Sequence, residues 1–84
     1  MKLVTIYTKP NCPYCVNAKK MLDTIGAEYE EVDVIAHPKR REQLSEEYNW
    51  FTVPMIFIGN EFIGGFDDMV ALHKRGELLP KLNS

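Results

Sequence analysis

The only two cysteines of the chain, Cys12 and Cys15, are separated by Pro13 and Tyr14. The Cα atoms of two residues at this spacing on a first helical turn lie about 5 to 6 Å apart, a separation that a disulfide can bridge. The attacking species in disulfide exchange is the thiolate, which the N–H groups and the positive dipole end of a helix N-terminus stabilise. The pair therefore predicts thiol–disulfide exchange at the start of a helix.

The two cysteines are expected to have different roles. Pro13 suits the first helical position, because the N–H group that proline lacks has no partner there. This places Cys12 at the N-cap, with Lys9 as a nearby cation, and places Cys15 on the apolar stripe of the helix. We predict that Cys12 attacks the substrate and that Cys15, less exposed and less acidic, resolves the mixed disulfide.

Two other uses of a cysteine pair are disfavoured. A structural disulfide that closes a four-residue loop would restrict the unfolded chain little. A zinc ion would need two further ligands, and His37 and His73 are distant in sequence from the cysteines and from each other. A lone pair at this spacing beside a βαβ pattern is typical of redox sites. No metal ligand is therefore predicted.

Patterns of apolar residues around the cysteines predict an α/β fold with the element order β-α-β-α-β-β-α. The first strand, helix and second strand form a βαβ unit with parallel strands, and Gly59-Asn60 marks a hairpin between the last two strands. Asp67 or Asp68 is expected to cap the third helix. The result is a mixed four-stranded sheet flanked by three helices. The predicted strands are 3–8, 28–34, 55–58 and 61–63. The predicted helices are 13–25, 39–48 and a last one that ends at Arg75. After that helix, Leu78, Leu79 and Leu82 are expected to fold back on the core.

Length and charge exclude several classes of protein. The 84 residues predict one domain, 1–84. A formal charge of −2 lacks the basic surplus of nucleic-acid-binding proteins. The longest apolar run is far shorter than the roughly 20 residues that span a bilayer, and the N-terminus shows no signal-segment pattern. We expect a cytoplasmic monomer that binds neither nucleic acid nor membranes.

Three segments, in this order, resemble motifs of the glutaredoxin family, specifically its small dithiol members of bacterial type. They are Tyr7-Thr8-Lys9 leading to Cys12-Pro13-Tyr14-Cys15, then Thr52-Val53-Pro54, then Gly64-Gly65 followed by Asp67-Asp68. The resemblance covers essentially the whole chain and implies a thioredoxin-like fold. Two departures stand out: Phe66 replaces a third cysteine that many relatives carry, and Trp50-Phe51 precedes Thr52 where small or polar residues are common.

The resemblance also implies a glutathione site, with glutathione as a co-substrate and no permanently bound cofactor. The backbone of Val53, before a cis Pro54, would pair with the cysteinyl unit of glutathione. The helix start at the paired aspartates would receive the γ-glutamyl end. Lys9 and Arg41 would hold the glycine carboxylate. The residues implied to contact glutathione are Lys9, Tyr14, Arg41, Thr52, Val53, Pro54, Gly65, Phe66, Asp67 and Asp68.

The implied function is glutathione-dependent reduction of glutathione mixed disulfides and protein disulfides through Cys12 and Cys15. The expected partners are glutathione and proteins that carry glutathionyl groups or disulfides. Two alternatives remain open. One is an electron donor that a thioredoxin reductase recycles. The other is an iron–sulfur cluster carrier, in which Cys12 of two subunits and two glutathione molecules would hold the cluster.

Overall fold

The computed structural model describes residues 1–84, which form a four-stranded mixed sheet with helices on both faces. The strands are β1 (Val4–Thr8), β2 (Tyr29–Asp33), β3 (Met55–Ile58) and β4 (Glu61–Gly64). The helices are α1 (Pro13–Thr24), α2 (Pro38–Tyr48), α3 (Phe66–Lys74) and α4 (Leu78–Leu82). None of these helices has the length and apolar character needed to cross a membrane. The predicted order of elements is confirmed, with α4 added at its end.

The sheet has the strand order β2-β1-β3-β4. Strand β1 is parallel to β2 and antiparallel to β3, and β3 is antiparallel to β4. The two central strands are almost entirely buried, as expected when helices cover both faces of a sheet. Strand β2 lies at an edge and exposes Glu30 and Glu31, whose charges oppose pairing with another sheet. The predicted βαβ unit with parallel strands is confirmed.

Alternate residues of the central strands enter two separate apolar clusters, one on each face of the sheet. Ile6 and Ile56 point into the cluster of the α1 layer, which contains α1, α3 and α4. Tyr7 and Phe57 point into the cluster of the α2 layer, where Leu44 is the buried contact from the helix. Each layer thus packs independently against the sheet.

Helix α1 begins and ends as its sequence predicts. Cys12 is the N-cap in an extended conformation, with φ −113° and ψ 104°, and Pro13 is the first helical residue. Cys15 lies on the stripe of α1 that is buried against the sheet. After the helix, Gly26 has φ +75°, the left-handed conformation that glycine adopts at low cost after a helix end.

Three expectations about the carboxyl-terminal part are wrong. The N-cap of α3 is Gly65 rather than an aspartate, and Asp68, three positions later, accepts the N–H of Gly65 through its carboxylate at 2.9 Å. This is one half of a capping box, because glycine suits an N-cap but has no side chain to supply the reciprocal bond. The helices number four rather than three, because residues 78–82 coil into the short α4. Leu78 and Leu82 are buried in it, but Leu79 remains 43% exposed.

Candidate active site

The two free thiols lie at the amino-terminal end of α1. The Sγ atom of Cys12 accepts a hydrogen bond from the backbone N–H of Cys15 at 3.2 Å. The first turn of α1 contains no acidic residue, so no carboxylate of the helix itself opposes the positive end of its dipole. The sulfur of Cys12 therefore lies within hydrogen-bonding reach of the helix start.

Cys15 lies one turn further into the protein and is only 1% exposed. Burial raises the pKa of the Cys15 thiol to about 11; its hydrogen bond with Cys12 also raises it, and a backbone hydrogen bond from Lys9 acts in the opposite direction. Cys12 is itself only 6% exposed. The two thiols differ mainly in where they face, because Cys12 lines the main cleft of the molecule and Cys15 does not.

This main cleft has a volume of about 510 Å³, which is within the usual range for small-molecule sites. The loop before α1 and the start of α1 form its first wall, where Lys9, Cys12 and Tyr14 lie. Asn11 belongs to the same wall and has φ +57°, a conformation that asparagine tolerates better than most residues. Tyr14 is exposed, and its ring centroid is 6.4 Å from that of Phe66.

Residues 52–54, which lead into β3, form the second wall together with Arg41 of α2. The bond between Val53 and Pro54 is cis, as the resemblance implies. The Sγ atom of Cys12 is 3.9 Å from the carbonyl oxygen of Val53. The first and second walls therefore meet at the Cys12 sulfur.

The start of α3 closes the cleft, through Gly65, Phe66 and Asp67. A Cβ atom on Gly65 would lie 3.5 Å from the carbonyl oxygen of Pro54 and 3.5 Å from the ring of Trp50. Both distances are ordinary van der Waals contacts, so the start of α3 packs directly against Pro54 and Trp50. Asp68 is the one residue of the implied glutathione set that does not line the cleft.

Three lining residues were not among the predicted contacts: Asn11, Pro13 and Trp50. The first two flank Cys12 in sequence, and this adjacency is the signal that would have identified them. Trp50 is half-buried and packs edge-on against Phe62, with ring centroids 5.4 Å apart. Phe51, the next residue, is 67% exposed and lies outside the lining. Its carbonyl oxygen is 3.5 Å from the guanidinium of Arg41.

A glutaredoxin family model matches residues 4–63 of the chain. Glutaredoxin 3 of Escherichia coli K12 is 43% identical over 82 residues, which are 98% of this chain and 99% of that protein. The solution structure of glutaredoxin from Brucella melitensis is 43% identical with a TM-score of 0.85, covering 100% of this chain and 94% of that one. The crystal structure of a buckwheat glutaredoxin–glutathione complex is 31% identical with a TM-score of 0.91, covering 95% and 76%. The fold is therefore thioredoxin-like, as predicted, and the chain belongs to the glutaredoxin family.

Proposed function

We propose that this thiol–disulfide oxidoreductase depends on glutathione. The observation that carries the proposal is the composition of the main cleft. The Cys12 sulfur shares it with the backbone of residues 52–54 and with the start of α3. A tripeptide thiol needs such a combination, because its sulfur must reach Cys12 while its backbone and its charged ends are held elsewhere. The buckwheat relative, solved as a glutathione complex, supports the same ligand.

The charges of the cleft are complementary to those of glutathione. Lys9 and Arg41 are cations suited to the glycine carboxylate. The N–H groups at the start of α3 suit the carboxylate of the γ-glutamyl end. Asp67 is the better partner for the ammonium group of that end, because the carboxylate of Asp68 already accepts the N–H of Gly65 at 2.9 Å. The backbone of Val53 would pair with the cysteinyl unit, as in an added strand.

The reaction on a glutathione mixed disulfide needs only one cysteine. The Cys12 thiolate attacks the glutathione sulfur, and the protein thiolate leaves with the electron pair of the broken S–S bond. A second glutathione thiolate then attacks the glutathione sulfur bound to Cys12, which releases glutathione disulfide and restores the Cys12 thiolate. Reduction of a protein disulfide uses both cysteines: Cys12 forms a mixed disulfide with the substrate, and Cys15 displaces the substrate thiol.

The proposal is tested by an assay of a glutathione mixed disulfide, coupled to glutathione and glutathione reductase, with two matched substitutions. Cys12→Ser is expected to abolish turnover, because it removes the nucleophile. Cys15→Ser is expected to retain it, because the single-cysteine route does not use Cys15. Activity of Cys12→Ser would contradict the assigned roles. If the wild type is inactive with glutathione but reduces protein disulfides when a thioredoxin reductase and NADPH are supplied, the alternative electron source is correct.

A further inference from the structure

A second cleft, of about 210 Å³, lies beside the dithiol toward the edge strand β2. Both cysteines line it, together with Thr8, Lys19 and Glu31. These last three side chains form a connected polar cluster: Oε2 of Glu31 accepts hydrogen bonds from Nζ of Lys19 at 3.0 Å and from Oγ1 of Thr8 at 2.7 Å. Lys19 and Glu31 do not line the main cleft. The proposed glutathione site therefore leaves this cluster without a role.

Cys15 has a chemical requirement that the main cleft does not meet. To resolve a mixed disulfide, its sulfur must become a thiolate, yet burial raises the pKa of Cys15 to about 11. Cys15 lines the second cleft and does not line the main cleft. A group that stabilises its thiolate would therefore act from the side of Cys15 that faces the second cleft.

Lys19 is the residue placed to do so. It follows Cys15 by four positions on α1, so the two side chains share one helix face. Glu31 fixes its ammonium group and raises the pKa of Lys19, which keeps the group charged. The positive charge of Lys19 lowers the pKa of the Cys15 thiol, as the smallest of the contributions to that pKa. The other ionisable or charged groups that line this cleft are Lys9, Cys12 and Asp33, and the carboxylate of Asp33 accepts the N–H of Ile35 at 2.8 Å.

We propose that Lys19, held by Glu31, is a positioning residue that stabilises the Cys15 thiolate in the resolving step. This deepens the proposed function, because it concerns the two-cysteine reaction at the same dithiol. The Cys15 thiol loses its proton to water in the second cleft, and its sulfur attacks Cys12 Sγ in the mixed disulfide. The S–S bond to the substrate breaks and the Cys12–Cys15 bond forms. The substrate sulfur leaves as a thiolate with the electron pair, so the dithiol is oxidised by two electrons and the substrate disulfide is reduced by two.

A glutathione-free reaction isolates this step. The reduced protein is mixed with dithiobis(nitrobenzoate) in a stopped-flow instrument. Attack by Cys12 releases one coloured thiolate in a first phase, and attack by Cys15 releases a second. Cys15→Ser should abolish the second phase and so identify it. Because glutathione takes no part, this test gives a result even if the proposed glutathione dependence fails.

Lys19→Met is expected to slow the second phase about threefold to tenfold at pH 7 and to raise its pH midpoint by about half to one unit. It should leave the first phase unchanged. Lys20→Met is the matched control, because it removes the same charge from the exposed neighbouring position of α1. An equal slowing of both phases by Lys19→Met, or an equal effect of Lys20→Met on the second phase, would overturn the proposal.

Lys19→Arg separates the effect of charge from that of structure, because it changes the side chain and keeps the positive charge. The charge effect predicts that the second-phase midpoint of Lys19→Arg stays closer to that of the wild type than the midpoint of Lys19→Met does. Equal midpoint shifts in the two variants would refute the charge effect. Glu31→Gln removes the group that holds the ammonium of Lys19, so it is expected to raise the midpoint, in the same direction as Lys19→Met, and a midpoint that falls would contradict the holding role. Urea unfolding of each variant at pH 7 identifies the folded fraction to which the rates refer.

Discussion

The junction between β4 and α3 offers a sharp test of how the wall of the main cleft is built. Gly64 has φ +108°, a conformation that side-chain-bearing residues rarely adopt. A Cβ atom added there would overlap Oδ2 of Asp68 and would lie 2.7 Å from its Cγ. That carboxylate is the group that caps α3 by accepting the N–H of Gly65. Gly64→Ala must therefore strain the backbone and also displace the cap.

Each of these two effects has a known size. The strained backbone costs about 1 to 3 kcal/mol, and loss of an N-terminal capping bond costs about 1 kcal/mol. Gly64→Ala is thus expected to lower the free energy of unfolding by roughly 2 to 4 kcal/mol. Gly76→Ala is the matched control, because Gly76 has φ +72° but nothing within 4 Å of the added Cβ. It should cost only the conformational part, about 1 to 2 kcal/mol.

Urea unfolding followed by circular dichroism measures these differences, and a double-mutant cycle with Asp68→Ala separates the two effects. Once the carboxylate is absent, Gly64→Ala has no cap to displace. The double variant should therefore be more stable than the sum of the single losses implies, by about 1 kcal/mol. Strict additivity, or a loss in Gly64→Ala no larger than in Gly76→Ala, would refute the reasoning.

Two further predictions concern the edge strand and the last helix. The Thr8 hydroxyl and the Lys19 ammonium lower the pKa of Glu31 from its ordinary value of 4.5. The stabilisation from Glu31 is therefore complete above about pH 5 and is lost as the pH falls through the lowered pKa of the folded state. The difference between the urea midpoints of the wild type and of Glu31→Gln should therefore shrink as the pH falls through that range, and a difference independent of pH would contradict this. Leu82→Ala should lower the free energy of unfolding by about 2 to 5 kcal/mol, because Leu82 is fully buried. Leu79→Ala is the control, because Leu79 is exposed, and it should cost less than about 0.5 kcal/mol. Equal losses would mean that α4 does not pack as described.

The sequence predicted those features that depend on local signals. Pro13 and the cysteine spacing located the start of α1, and the βαβ pattern gave the parallel pairing of β1 with β2. The contact between Lys19 and Glu31 was not predicted, because it depends on how α1 crosses over the sheet to reach β2. The position of Asp68 within the cap was predicted wrongly for a different reason. An aspartate after two glycines fits either an N-cap or the third helical position, and only the path of the backbone at Gly65 distinguishes them.

The inclusion of Arg41 in the main cleft came from the family resemblance alone. On an exposed, charged helix its residue type carries no positional information. Its place is set by the packing of α2 against the sheet, through the buried Leu44. The size and lining of the main cleft likewise follow from Arg41 and three segments that are far apart in sequence. Tertiary packing decides such features, and no local pattern encodes them.

The lining of the main cleft is anchored on both sides of the sheet. Phe66, at the start of α3, packs into the cluster of the α1 layer, whereas Trp50 and Val53 pack into that of the α2 layer. The sheet separates the two clusters, so a substitution inside one cluster repacks one side only. The two sides meet at Cys12, whose Sγ atom is 3.9 Å from the carbonyl oxygen of Val53, so a change at residues 52–54 also reaches the sulfur. For protein engineering, a new specificity is therefore best introduced on the α2 side at a lining position away from this contact, such as Arg41.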